Sequence, residues 1–259
     1  MLLREVQYVR PGSMDEALQA LSSHEGARAL AGGQTLINVM KARAASPDVL
    51  VDLWALDELK TIERDGDGGL RIGSMVTYAQ LMRDATAGEA RPILAEIASQ
   101  IADVQVRSRG TIGGNICSSD PTNHFPPVAA AQGWRMHVVG PGGERELSAD
   151  EFFLGVYFTA VGPGELLTAI TVPAGGSDGF ASVTLGADGT CIASAAAQVR
   201  DGEARIALGC VGATPVVVPS PEEVRTADMD PPSDVHASAD YRRHLAEVCA
   251  RRALKQASA

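Results

Sequence analysis

The stretch RSRGTIGGNICSSDP, Arg107–Pro121, decides how this chain is read. An apolar residue, Ile112, is followed by two adjacent glycines, Gly113 and Gly114, and then by an amide, Asn115. Upstream, ALAGGQTLINVMKAR repeats the pattern: Leu30 and Ala31, then Gly32 and Gly33, then Gln34, Thr35 and Leu36. Three further glycine pairs, at 68–69, 142–143 and 175–176, sit among Asp, Pro, Glu and Ser and read as hairpin or linker glycines. One glycine pair is usually a tight turn and nothing more. Two pairs with matching apolar and amide flanks ask for a shared ligand.

Glycine reaches backbone angles closed to other residues and carries no Cβ, so a ligand can sit directly on its amides. Consecutive N–H groups curled inward make an anion-binding nest, and a helix that starts just beyond adds its positive end. GGQTLINVM fits this order: turn, Thr35 hydroxyl, helix. The side chains of Gln34, Thr35 and Asn115 add donors. Two such turns facing each other suit a diphosphate. The sequence has no GxGxxG after a first strand and no GxxxxGK[ST], so neither a Rossmann dinucleotide domain nor a P-loop is indicated.

Composition narrows the classes. With 259 residues and 45% hydrophobic content the chain can bury a sizeable core, as one large domain or two to three small ones. A net charge of -10 without basic runs argues against nucleic acid or an anionic membrane as partner. The N-terminus carries Arg4 and Glu5 and no long apolar core, so it does not read as a signal peptide, and no apolar run reaches membrane-span length. The expectation is a cytoplasmic protein. Cys117, Cys191, Cys210 and Cys249 are far apart in sequence and form no CxxC, so they read as buried packing thiols rather than metal ligands. A redox-sensing Cys117 is a minor alternative. Arg242 and Arg243 read as a solvated helix face, and Trp54 and Trp134 as core or interface residues.

Along the chain, residues 1–56 read as a small α/β unit, with Ser13 capping a helix that begins at Met14. Residues 57–174 read as a larger block: a hairpin, helices from Thr77 and Pro92, the TIGGN turn, then helix, strand, turn and strand, and a closing strand in GELLTAITVP. AGGSDG, 174–179, is the clearest linker signal. Beyond it come three strands joined by Gly/Asp turns, a polar loop and an amphipathic helix with Leu245, Val248, Cys249 and Ala253 toward one face.

At these residues the sequence resembles the FAD-binding medium subunit of the molybdenum hydroxylases, the xanthine dehydrogenase and carbon monoxide dehydrogenase group. AGGQTLINVMKAR (31–43), VDLWALDELKTI (51–62), LRIGSMVTYAQL (70–81), QVRSRGTIGGNICSSDP (105–121), ELLTAITVP (165–173) and SADYRRHLAEV (238–248) carry the resemblance in the family's order. It implies an α+β fold: a two-lobed, vanillyl-alcohol-oxidase-like FAD-binding domain followed by a smaller C-terminal domain of antiparallel sheet plus helix. The lobes would cover 1–56 and 57–174, and the C-terminal domain 175–259. It further implies FAD lying extended between the lobes. The pyrophosphate would sit on Ala31, Gly32, Gly33, Gln34 and Thr35, flanked by Leu30 and Leu36, and on the loop from Thr111 through Gly113 and Gly114 to Asn115. Ile101 and Leu167 would pack against the cofactor's rings, with Ser119 and Asp120 near its ribityl–phosphate region.

The resemblance places no catalytic residue and no metal on this chain. The molybdenum cofactor and 2Fe–2S clusters would reside on a large and a small partner subunit, in a heterotrimer that can pair. This chain would pass electrons from the clusters through FAD to an external acceptor. The sequence departs from the family where His124 stands in place of a frequent acidic residue. It departs again in the C-terminal domain, where Thr184 occupies a frequent Lys position and the following Arg is missing, so NAD as acceptor is not implied. Two rival readings are a stand-alone FAD-dependent oxidoreductase on the same fold and an FAD-free scaffold or binding module.

Overall fold

Residues 2–186 and 189–259 are described in a computed structural model. The Gly/Asp turn expected after Thr184 includes 187 and 188, which lie outside the described residues.

The first lobe runs β1 (Gln7–Val9), α1 (Met14–Ser23), β2 (Ala27–Leu30), α2 (Leu36–Lys41), β3 (Val49–Asp52). The three strands are parallel, with β3 between β1 and β2. Ser13 caps α1, its Oγ accepting from the Glu16 N–H at 3.3 Å. Every residue of β3 is buried, as its VLVD run requires of a central strand. Ala17 and Leu21 of α1 pack on Val49 and Val51, and the same cluster takes in Leu59, Met75 and Leu166. The core of the first lobe therefore continues into the second. That continuity fixes the end of β2, and with it the first glycine motif, against the second lobe.

The second lobe contains β4 (Ile62–Arg64), β5 (Leu70–Gly73), α3 (Tyr78–Leu81), α4 (Ala85–Ala90), α5 (Pro92–Ser99), α6 (Val104–Arg109), α7 (Ile112–Ser118), α8 (Phe125–Gln132), β6 (Arg135–Gly140), β7 (Gly143–Ser148), α9 (Ala149–Phe152), β8 (Phe153–Gly155), β9 (Phe158–Thr159) and β10 (Leu166–Val172). Its five-stranded sheet has the order β4–β5–β10–β6–β7 and is antiparallel throughout. Trp134, Phe125 and Phe152 are fully buried in the core beneath it. The closing strand β10 pairs in the centre, between β5 and β6, so the sheet forms only when distant segments meet.

The C-terminal part has β11 (Ser177–Thr184), β12 (Cys191–Arg200), β13 (Glu203–Gly209) and β14 (Val216–Val218) in sequential antiparallel order, with α10 (Ala239–Ala257) across one face. The small residues of β12 explain its burial on both faces. Ala195 and Ala197 pack under α10, while Ala196 joins the core of the second lobe beside α8. Gly179 is needed on β11 because a Cβ there would lie 1.9 Å from the Ala253 carbonyl oxygen of α10. Leu245, Cys249 and Ala253 are buried as the helical period predicts, with Val248 half-buried. Among the described residues no helix is long and apolar enough to cross a membrane.

Two sequence expectations are corrected here. AGGSDG is not a free linker. β11 begins at Ser177, and the buried Arg91 reaches over from the second lobe to Asp178 at 2.7 Å and to the carbonyls of Pro173 and Gly175. Nor do Arg242 and Arg243 form a solvated face. Arg242 is 3% exposed and donates to the Ile192 carbonyl and to Asp234, and Arg243 donates to the carbonyls of Ala227 and Met229. Both arginines pin the polar 226–238 loop to the helix, a role that spacing along one helix cannot reveal.

Candidate functional site

The first glycine motif leaves the end of β2 and enters α2. Gly33 has φ +72°, the left-handed region that glycine adopts without strain. The backbone N–H groups of Gly32, Gly33, Gln34, Thr35 and Leu36 donate to nothing among the described residues. The exposed Thr35 makes no cap bond with its side chain, so its hydroxyl is free as well. Gln34 folds back, its Nε2 donating to the Gly32 carbonyl at 2.9 Å, and so holds the turn in shape. Consecutive free donors at a partly open turn are the arrangement expected of an anion nest.

The second motif differs from the sequence expectation. Gly113 and Gly114 do not form an open turn; they lie in the first turn of α7, and Thr111 is its N-cap. Four successive amides are already used. Ile112 N–H donates to Val76 O, Gly113 N–H to Ser74 O, Gly114 N–H to Thr111 Oγ1 and Asn115 N–H to Thr111 O. The glycines serve close packing instead. A Cβ on Gly113 would lie 2.5 Å from both the Cβ and the carbonyl oxygen of Ser74. A second nest of backbone amides facing the first is therefore absent at 112–115.

What the second motif offers is Asn115. Its side chain is 6% exposed, its Nδ2 donates to the Tyr78 hydroxyl at 2.9 Å, and its Oδ1 has no partner among the described residues. A tyrosine hydroxyl can donate or accept, so one end of the amide meets Tyr78 and the other is left unsatisfied whichever way the amide is turned. Ser74 Oγ, beside Gly113, is a second buried atom without a partner. A buried unsatisfied polar atom costs about 1–3 kcal/mol, which a ligand can recover. Burial pushes the Tyr78 hydroxyl up to about 12, so it stays protonated against Asn115.

The two motifs touch. A Cβ on Gly32 would stand 2.1 Å from the Arg109 carbonyl oxygen and 2.9 Å from the Gly110 Cα, and a Cβ on Gly114 would meet Ala31 at 3.8 Å. Gly32 is thus a glycine because the first loop rests on the backbone that leads into the second. Arg109 continues the seam with its guanidinium 4.0 Å from the Trp54 ring centre.

The other expected residues flank this junction in different ways. Ser119 closes α7 with φ +44°, donates to the Gly155 carbonyl and receives the Tyr157 N–H. Asp120 accepts from the Thr122 N–H and hydroxyl through one oxygen and from the Tyr157 hydroxyl through the other. Both are engaged with the protein, and Tyr157, itself at φ +55°, is the partner that sequence reading missed. Leu167 is buried on β10 beside a β-bulge and Ile101 is half-buried, held in place by Arg107, which donates to the Ile101 carbonyl at 2.9 Å. Leu30 and Leu36 are half-buried on either side of the first turn. A cleft of ≈580 Å³ opens alongside, lined by Trp54, Lys60, Thr77, Arg83 and Ser108 among others, and none of the glycine-motif residues lines it. His124 is buried against Phe180, with ring centres 5.1 Å apart.

A run of free amides, a free hydroxyl and an unsatisfied buried amide side chain fit the diphosphate of FAD. The comparisons with known proteins agree. Residues 4–175 match the family described as FAD binding domain in molybdopterin dehydrogenase. The chain is 31% identical to the nicotine 6-hydroxylase medium subunit of Paenarthrobacter nicotinovorans and 35% identical to the carbon monoxide dehydrogenase medium chain of Afipia carboxidovorans, in each case over 100% of this chain and 99% of the relative. Its fold superposes with a TM-score of 0.92 on a chain of the CO dehydrogenase of Oligotropha carboxidovorans, at 33% identity and covering 99% of both chains. Over its whole length, then, the chain belongs to the family of FAD-binding medium subunits of molybdenum hydroxylases, and it is an FAD-binding subunit of an oxidoreductase complex.

Proposed function

We propose that this chain is the electron-transfer flavoprotein of a cytoplasmic heterotrimer. Its partners are a small iron–sulfur subunit and a large molybdenum subunit, and the heterotrimer pairs into a larger assembly. When bound, FAD accepts electrons singly from the clusters and delivers them in pairs to an external acceptor. The chain's own residues bind and orient. The amides of Gly32, Gly33, Gln34, Thr35 and Leu36, with the Thr35 hydroxyl, hold one side of the pyrophosphate. Asn115, positioned by Tyr78, holds the other through its side chain rather than through backbone amides. Leu30, Ala31, Thr111, Gly113 and Gly114 shape the seat by close packing. Ile101 and Leu167 supply apolar walls for the rings, and Ser119 and Asp120, braced by Tyr157, border the ribityl–phosphate segment.

The observation that carries this reading is the five consecutive unbonded amides at 32–36 resting on the backbone that leads into Asn115. The test is electron flow in the assembled complex, with FAD removed and then restored. Substrate should still reduce the iron–sulfur clusters of the FAD-free complex, while delivery to an acceptor stops and returns with FAD. Equal delivery without FAD would overturn the relay role. Turnover by this chain alone would favour a stand-alone oxidoreductase.

A further inference from the structure

The chain reverses between α5 and α6, and the reversal carries Ile101. α5 ends at Ser99, and the N–H groups of Gln100 and Ile101 still donate backward, to the carbonyls of Ile97 and Ala98. The chain then turns at Ala102, whose φ of +42° lies in the left-handed region. Alanine carries a Cβ and enters that region only at a cost, and its side chain has no polar atom to offset it. Asp103 caps α6 immediately afterwards, its carboxylate accepting from the Val106 N–H at 2.8 Å. Ile101 is thus presented by a backbone held against its own preference.

The group that holds it is Arg107, on α6. One terminal nitrogen of its guanidinium donates to the Ile101 carbonyl at 2.9 Å and also to the Ala102 carbonyl. These carbonyls belong to the peptide planes on either side of the Ala102 Cα. Two charge-assisted bonds from one half-buried group therefore fix both dihedrals of the strained residue. The far end of α6 touches the other part of the cofactor seat. The helix has six residues and spans about 9 Å. Its last residue, Arg109, provides the carbonyl on which Gly32 rests. Gly110 follows, packed so closely on Tyr78 that a Cβ would stand 2.7 Å from a ring carbon, and Tyr78 in turn meets Asn115. One short helix thus connects Ile101 with the turn that presents the 32–36 amides.

We propose that Arg107 is a positioning residue for FAD. By clamping the peptide planes around Ala102 it sets where Ile101 stands, and α6 keeps that apolar wall at a fixed distance from the 32–36 amides. An extended FAD then meets the wall and the pyrophosphate nest together, and neither has to be ordered on binding. Arg107 acts through Ile101 and not by contact with the cofactor. The role rests on the reading of Ile101 as a wall of the seat, which Ile101→Ala tests by itself.

The test is a double-mutant cycle on FAD affinity in the full-length chain, stripped of FAD and titrated with it. I101A should lose about tenfold; unchanged affinity would remove Ile101 from the site, and the role of Arg107 with it. R107M should also lose about tenfold, and the double variant about tenfold rather than about a hundredfold, because both changes remove the same contact. Wild-type affinity in R107M, or additive losses in the double variant, would overturn the positioning role while leaving Ile101 in the site. Glycine takes a positive φ without strain, so Ala102→Gly should bring R107M back to within about threefold of the wild type; no recovery would overturn the proposal. If R107M does not fold, Ala102 decides with Arg107 intact. A β-branched residue does not settle at a φ of +42°, so A102V should bind FAD at least about tenfold more weakly than A102G, and equal affinities would overturn the proposal.

Discussion

Replacing Gly32 by alanine probes the contact on which the cofactor seat depends. The added Cβ would stand 2.1 Å from the Arg109 carbonyl oxygen, 2.7 Å from its carbon and 2.9 Å from the Gly110 Cα. Non-bonded heavy atoms prefer roughly 3.5 Å, so the two motifs must part by about 1 Å or more. All three obstructing atoms are backbone, and no side chain can swing aside. Overpacking of this kind costs about 1–3 kcal/mol. At roughly 2–4 °C per kcal/mol for a chain of this size class, Tm should fall by about 2–12 °C. The same displacement carries the amides of 32–36 away from Asn115, so FAD affinity should drop at least about tenfold, equivalent to about 1.4 kcal/mol. Fluorescence titration of the stripped protein with FAD reads the affinity, and differential scanning fluorimetry reads Tm. Gly88→Ala is the control. Gly88 lies in α4, and a methyl group added to it would meet no atom within 4 Å, so alanine there should raise stability by about 0.5–1 kcal/mol and leave FAD binding alone. If G32A binds FAD like the wild type and melts with it, the contact between the motifs does not set the site.

Arg91→Leu removes the only counter-charge, among the described residues, of the buried Asp178 carboxylate, leaving it the Gln198 amide alone, and removes a donor from the carbonyls of Pro173 and Gly175, so it should cost about 3–5 kcal/mol in denaturant unfolding; a loss below about 1 kcal/mol would show that the joint is not held there. Asn115→Ala should weaken FAD binding by about tenfold or more while Tyr78 keeps the fold, and an unchanged Kd would remove Asn115 from the site. The amides of His236 and Ala237 and the Arg242 guanidinium hold the Asp234 carboxyl down at about 2. A carboxylate depressed in the folded state stabilises above its unfolded pKa of about 4, and that contribution is lost as pH falls toward 2. Tm measured against pH should therefore drop less steeply between about pH 4 and 2 in D234N than in the wild type; parallel acid limbs would contradict the assignment.

Local chemistry makes part of this architecture readable in the sequence. The period of MDEALQALSS with Ser13 before it identifies α1 and its cap, and the alternating runs around Asp65–Gly69 identify the β4–β5 hairpin. The first glycine motif reads as a turn entering a helix and is one, because Gly33 needs a positive φ and the amides beyond it need no internal partner. The second misleads for a definite reason: Gly113 answers to Ser74, a residue on another element that no local pattern identifies. Likewise the pairing of Arg91 with Asp178 is set by how β11 lies beside the second lobe. Arg242 looks like a surface residue from the helix alone and is buried because the 226–238 loop folds over it. Residues whose roles come from their own backbone can be read locally; those whose roles come from a distant neighbour cannot.

The central claim is that the 32–36 amides are free to take the FAD pyrophosphate while the 112–115 amides are already spent on the protein. Amide hydrogen exchange resolved by residue, with and without FAD, tests it directly. Gly32 through Leu36 should exchange quickly in the FAD-free protein and become protected on binding. Ile112 through Asn115 should be slow in both states. Protection gained at 112–115 with no change at 32–36 would contradict the account.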